Sequence, residues 1–228
     1  MTSYDEERGT APPSRDYHDY VFRNGRFVGD FEGMYQNSTE VPWHQDKTAY
    51  DTISNIDIAI LQRHHYASIC DVGCGLGYFT QRLYSELVTP DGKAPRVVGL
   101  DISQTCIRKA QDMFPSVSFR VADLLANRLG DLPQDFDLVV VRGVLWYVQH
   151  SLDAFLSRVC GLASTRGRVL VTLPFPPSDT WVGQDVLDSP ATLRSRLQDH
   201  IDLNYWCVEE DSVYGGAPLC HGFGIVRT

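Results

Sequence analysis

Asp71-Val72-Gly73-Cys74-Gly75-Leu76-Gly77-Tyr78-Phe79-Thr80 follows an apolar segment, Tyr66-Ala67-Ser68-Ile69-Cys70, and runs into a helix-like segment, Tyr78 to Leu87. The order is strand, glycine turn, helix. Glycines at alternate positions let the chain turn tightly and let a ligand approach bare main chain, where a Cβ would obstruct it. A second acid stands roughly a strand and a helix later: Asp101 in Val97-Val98-Gly99-Leu100-Asp101-Ile102-Ser103. A carboxylate ending the second strand of a doubly wound sheet is placed to accept from both hydroxyls of a ribose.

Working outward, strands are expected near 67–72, 96–101, 117–121, 136–142 and 167–173. Helices are expected at 77–87, 104–113 and 152–163, with a turn or short helix in 123–135. Alternating strands and helices argue for an α/β fold with a parallel, doubly wound sheet. A helix at 190–200 leads to two more strands near 203–210 and 219–227, broken by Gly215-Gly216-Ala217-Pro218. Upstream, residues 1–16 are polar, carry Pro12-Pro13 and read as a disordered tail. Apolar and aromatic residues flank Asn24-Gly25 between Asp19 and Gly29, a hairpin signal. A short helical piece over Asp30–Tyr35 and a loop over Asn37–Pro42 come next. A helix from about Lys47 to His64 then presents Tyr50, Ile53, Ile56, Ile58 and Leu61 as its apolar face. The division is a tail at 1–16, a hairpin and helical lid at 17–65, and a core at 66–228.

An acid followed by Gly-x-Gly-x-Gly resembles motif I of the class I S-adenosylmethionine-dependent methyltransferases. The rival nicotinamide fingerprint wants Gly or Ala one position later, where this chain has Tyr78, and has no use for Asp71. The resemblance implies a Rossmann-like doubly wound seven-stranded sheet, mostly parallel with an antiparallel last strand, helices on both faces and an N-terminal lid extension. It implies S-adenosylmethionine as cofactor. Gly73 and Gly75 would line its methionine and ribose side. Asp71 would orient the turn and reach the cofactor ammonium through water, or only orient the turn. Asp101 would take the ribose hydroxyls, or cap the helix after Ser103. Asp123, in Val121-Ala122-Asp123-Leu124-Leu125, would accept from the adenine amino group, or be a solvated loop acid. Leu124 would offer its backbone N–H to a ring nitrogen, and Ile102 would pack on the adenine face. After the fourth strand, Arg142-Gly143 stands where many relatives carry Ser-Glu or Asn-Glu. Arg142 is left either to contact the cofactor or an anionic substrate, or to form a salt bridge at the strand end.

Methyl transfer from a sulfonium is a direct displacement, so holding the nucleophile in line and excluding water supply most of the rate. An alcohol also needs a base. The candidates are His44, His150 and His221; His64 and His65 end a helix and read as structural. Trp43, Trp146, Tyr147 and Trp181 fall in loops or strand ends, where an open α/β sheet binds ligands, and are either substrate contacts or core. The stretch Leu173 to Trp181, rich in proline, is a candidate substrate loop.

The chain has 228 residues, 43% of them hydrophobic, enough for one α/β domain with a small extension. Its net charge is −9 and no Lys/Arg cluster stands out, which argues against a nucleic-acid substrate. Amino-group base methylases carry Asp/Asn-Pro-Pro-aromatic after the fourth strand, and cytosine-C5 enzymes a Pro-Cys; this chain reads Arg142-Gly143-Val144-Leu145 there. The six cysteines form no C-x-x-C pair, so neither a metal nor a disulfide framework is expected. No apolar run is long enough for a bilayer and no secretory signal is evident, so a cytosolic location is expected and a membrane is not.

Asp30-Phe31-Glu32-Gly33-Met34-Tyr35, then Pro42-Trp43, resembles the entry segment of nodulation-type methyltransferases that act on sugar amines. The expected function is methyl transfer to an oxygen or nitrogen of a small molecule: a sugar, aminosugar or secondary metabolite. The alternatives are a methyltransferase-like binding module without turnover and another adenosylmethionine-using transferase. Polyamine synthases, one such group, favour acids after strand four that are lacking here. Oligomeric state is left open.

Overall fold

The computed structural model describes residues 14–23, 26–126, 131–175, 182–209 and 217–227. The N-terminal part holds α1 (His18–Val21), β1 (Phe22–Arg23), β2 (Arg26–Phe27), α2 (Phe31–Asn37), α3 (Gln45–Thr48) and α4 (Thr52–Leu61). Next come β3 (Ser68–Val72), α5 (Tyr78–Glu86), β4 (Arg96–Asp101), α6 (Gln104–Met113), β5 (Ser118–Val121) and β6 (Phe136–Arg142). The chain continues with α7 (Leu152–Leu162), β7 (Ala163–Pro174), α8 (Pro190–Gln198), β8 (Ile201–Glu209) and β9 (Leu219–Val226).

Strands β3 to β9 form one seven-stranded sheet in the order β5-β4-β3-β6-β7-β9-β8. β5, β4, β3, β6 and β7 pair in parallel, and β9 inserts antiparallel between β7 and β8. This is the expected Rossmann-like sheet, mostly parallel with its last strand reversed. Side chains alternate along each strand, so successive residues feed opposite faces. Leu138 and Val140 join Ile69 and Leu170 in a core with α4, α5 and α6. Val139 and Val141 join Cys70, Val72 and Val171 in a second core with α7 and α8. Strands buried on both faces explain the unbroken apolar runs in the sequence. The winding reverses between β3 and β6, so the crevice for a ligand opens beyond their carboxyl ends.

Two local expectations change. β1 and β2 pair antiparallel, Phe22 with Phe27 and Arg23 with Arg26, but each has only two residues. Tyr20 and Val21 instead sit in the helical turn α1 and are buried. The Asn24-Gly25 turn lies outside the described residues, as do 1–13 of the expected tail. The single helix expected over 47–64 is two pieces, α3 and α4. Asp51 caps the second, its carboxylate accepting from the Ser54 N–H at 2.8 Å. Tyr50 falls in the break and is 59% exposed, not part of an apolar face.

Candidate active site

A cavity of about 760 Å³ opens at the carboxyl ends of the central strands. Its floor includes Asp71 near the end of β3 and Gly73 just past it, Asp101 as the last residue of β4 and Ile102 just past it, Asp123 and Leu124 after β5, and Arg142 at the end of β6. Gly73 has φ +71, and a Cβ there would stand 2.3 Å from Val144 Cγ2. The turn therefore needs glycine both for its left-handed backbone and for space. Asp71 Oδ2 accepts from Thr80 Oγ1 at 2.7 Å, which ties the strand end to the first turn of α5. Burial pushes the Asp71 carboxyl up to about 6, against the pull of the Thr80 hydrogen bond and the Arg142 charge. Asp101 spans the loop: Oδ2 accepts from the Gly75 N–H at 3.0 Å and Oδ1 from the Ser103 N–H at 2.9 Å. Burial raises its pKa, and those backbone N–H groups oppose the rise. The helix cap that is the alternative for Asp101 belongs to Ser103, whose hydroxyl accepts from Cys106 N–H. An ionised carboxylate has about four acceptor positions, more than these backbone groups fill, and Asp101 lines the cavity. Asp123 Oδ1 accepts from the Leu125 and Ala126 N–H groups at 2.8 and 3.2 Å, which shapes the loop beside Leu124. Ile102, 51% exposed, offers an apolar face on the same rim. An acid for a ribose, an acid and a main-chain loop for a base, and an apolar shelf between them fit an adenosine.

The N-terminal segment roofs this cavity and is tied down by groups the motif reading did not select. Gln45 Oε1 accepts from the Leu76 N–H at 2.7 Å, and Gln45 Nε2 donates to the Tyr35 hydroxyl at 3.1 Å. Gly75 (φ +54) is therefore covered rather than open: a Cβ there would lie 2.4 Å from Gln45 Oε1. Gly75 is absent from the cavity wall, while Gln45 lines it. Glu32 clamps α2 to the start of α6, accepting from Ser103 Oγ at 2.6 Å, Thr105 Oγ1 at 2.6 Å and Thr105 N–H at 3.1 Å. Burial opposes its ionisation, but those hydrogen bonds hold the Glu32 pKa down to about 2. Lys109 Nζ donates to the Tyr35 carbonyl at 2.6 Å.

Beneath the cavity lies a polar cluster centred on Asp57 of α4, which is fully buried. Its Oδ2 accepts from Arg142 Nε at 2.8 Å, and its Oδ1 from Thr172 Oγ1 and His221 Nδ1, both at 2.7 Å. Arg142 Nη2 donates to Ser54 Oγ at 2.7 Å, and Arg142 Cζ lies 3.8 Å from the centre of the Phe79 ring. Of the two roles open to Arg142, the salt bridge is formed, and its side chain also lines the cavity floor. His221 lies away from the cavity. It stands on inserted β9 opposite Thr172, wholly buried, and does not line the cavity. Its Nε2 is 3.4 Å from Glu209 Oε1. His150 is exposed at the start of α7 and also lies off the cavity wall. His44 does line the cavity, with the unusual φ of +48. Asp57 had a sequence signal: Ile53, Asp57 and Leu61 share one helical face, and an acid there demands buried partners. Gln45 had none.

The sequence profile of the family described as "Methyltransferase domain" matches residues 64–212. The chain belongs to this methyltransferase family. It is a class I S-adenosylmethionine-dependent methyltransferase, as its motif and sheet order anticipate. Solved structures share the fold at low identity. N-methyltransferase NodS from Bradyrhizobium japonicum, in complex with S-adenosyl-L-homocysteine, is 13% identical with a TM-score of 0.63, over 83% of this chain and 94% of that one. Magnesium protoporphyrin IX methyltransferase from Synechocystis, with the same product bound, is 20% identical with a TM-score of 0.56, over 92% of each chain. A TehB-like methyltransferase from Corynebacterium glutamicum is 20% identical with a TM-score of 0.55, over 82% of this chain and all of that one. No curated protein matches the sequence.

The methyltransferase brings Trp43, Trp146 and Tyr147 to the cavity wall. Trp146 is anchored in the core, its Nε1 donating to the Pro174 carbonyl at 2.8 Å and its ring edge-on to Phe175. Trp43 and Tyr147 instead pack with Phe31, which also lines the cavity. Trp181, the remaining aromatic candidate, lies outside the described residues, as does most of the loop leading to it. No helix among the described residues is long and apolar enough to cross a membrane, and no group of three or more His, Cys, Asp or Glu among them could hold a metal ion.

Proposed function

We propose that this methyltransferase acts on an oxygen or nitrogen of a small molecule, drawn from the sugar, aminosugar and secondary-metabolite classes. One observation carries the reading: the acid-bearing floor and the aromatic roof line one continuous cavity, so cofactor and a small acceptor share one space. Asp101 accepts from the ribose hydroxyls, with the strength of charge-assisted hydrogen bonds. Asp123 takes the adenine amino group, the Leu124 N–H meets a ring nitrogen, and Ile102 covers the ring face. Asp71 supplies negative charge beside the cofactor's methionine end, and Gln45 holds the glycine loop in place. S-adenosylmethionine, when bound, supplies a methyl group already activated for displacement by the acceptor's lone pair. The roof excludes water, and His44 stands on the wall where a hydroxyl acceptor would shed its proton.

The net charge of −9 supports a small acceptor over nucleic acid. Six free thiols support a reducing, cytosolic setting. The test is transfer of label from methyl-labelled S-adenosylmethionine to a panel of small hydroxyl and amine acceptors, with wild type and His44→Ala. Transfer to an acceptor on the panel, reduced in the variant for hydroxyls, is the expected result. Methylation of RNA or protein alone would overturn the small-molecule reading.

A further inference from the structure

The roof of the cavity is aromatic to an unusual degree. Tyr17, Phe27, Phe31, Trp43 and Tyr147 all line it. Phe31 meets Tyr147 edge-on at 5.0 Å between ring centres, Trp43 lies 5.9 Å from Tyr147 and 5.7 Å from Tyr17, and Phe27 stacks on Tyr147 at 6.0 Å. Rings this close touch one another. They form a continuous aromatic wall. The wall is held at a cost. Trp43 and His44 are consecutive non-glycine residues with φ +52 and +48. Strain of this kind persists where surrounding structure enforces it and clusters at ligand clamps.

Charge is distributed to match. Among the described residues the only acids lining the cavity are Asp71, Asp101 and Asp123, all on the floor at the strand ends. A protonated amine against the roof would meet no counter-charge from the acids that line the cavity among the described residues. A sugar laid on the ring faces of Phe27, Phe31 and Trp43 would present hydroxyls to apolar surface, where an unpaired one is costly to bury. The wall begins next to the reacting end: Val144, which crowds Gly73, opens the turn that carries Tyr147.

We infer that the acceptor is an uncharged, flat aromatic molecule laid against the Trp43–Tyr147–Phe31 wall. This rests on the methyl-transfer reading and narrows it. The test is calorimetric titration of the complex saturated with S-adenosylhomocysteine, using naphthols and 7-hydroxycoumarin, and separately glucosamine and benzylamine. The flat phenols are expected to bind and the two amines not. Tyr147→Leu and Phe31→Leu should each weaken phenol binding at least about tenfold, while Tyr147→Phe stays within about threefold of wild type. All three should keep their affinity for S-adenosylhomocysteine within about threefold, which separates loss of the wall from loss of the fold. Absence of phenol binding, tighter binding of either amine, or phenol binding indifferent to Tyr147→Leu would overturn the inference. Failure of wild type to bind S-adenosylhomocysteine would instead strike the cofactor reading beneath it.

Discussion

Asp57→Ala should be the most damaging single truncation outside the apolar core. The carboxylate is fully buried and carries three side-chain partners from three other elements: Arg142 of β6, Thr172 of β7 and His221 of β9. Removing it strands the Arg142 guanidinium, whose side chain is 21% exposed, without its buried counter-charge. Breaking such a pair from one side costs about 3–5 kcal/mol. That is a large share of the roughly 5–15 kcal/mol that holds a domain together. Replacing both charges should cost less than the two single losses added, because Arg142→Met removes the stranded cation. The coupling should fall in the range of about 0.5–3 kcal/mol found for residues in one network. Urea unfolding of wild type, Asp57→Ala, Arg142→Met and the double variant measures all four corners. A loss below about 1 kcal/mol for Asp57→Ala, or additivity across the cycle, would refute the view that this cluster joins α4 to the sheet.

Three further outcomes follow from the same geometry. Gly75→Ala forces a methyl against Gln45 Oε1 and puts alanine at φ +54, so it should destabilise by at least about 1–2 kcal/mol, with partial recovery in the Gln45→Ala background. Glu32 has its pKa lowered from 4.5 to about 2, so its stabilisation is present above pH about 4.5 and fades as pH falls toward 2. Glu32→Gln should therefore lose about 1–3 kcal/mol at pH 7 and show a weaker acid transition, read by thermal melts and by faster proteolysis of the N-terminal segment. Asp71 has the opposite sign: its pKa is raised from 3.8 to about 6, so the ligand-free protein loses stability as pH rises across that interval. Asp71→Asn should remove that slope, so the variant gains on wild type in ligand-free stability as pH rises from about 4 to 6, while weakening cofactor binding.

The central sheet was legible because its strands are continuous apolar runs between glycine and helix-cap signals, as at Phe136–Arg142 and Ser103. The positions of the three floor acids were legible because each lies within two residues of the carboxyl end of a strand. What the sequence hid depends on long-range partners. His221 looks like any polar residue on a last strand until β9 is inserted beside β7, which turns it onto Asp57. Arg142 looks available until α4 is docked beneath it. Gln45 becomes a support for the glycine loop only through a contact across 31 residues of chain. The break at Tyr50 shows local chemistry overriding periodicity: Asp51 offers a cap to Ser54, and the helix restarts there. Trp146 and Tyr147 both reach the wall but differ in their anchors, Trp146 held by the Pro174 carbonyl and Tyr147 packed among Phe27, Phe31 and Trp43.

The most direct measurement is calorimetric titration of S-adenosylhomocysteine into wild type and Asp101→Ala, with thermal melts to verify that both are folded. Binding to wild type, weakened by about 1.5–3 kcal/mol in the variant, is the predicted result for a carboxylate that takes the ribose hydroxyls. No binding to wild type, or equal binding to a folded Asp101→Ala, would contradict the assignment of this cavity to the cofactor.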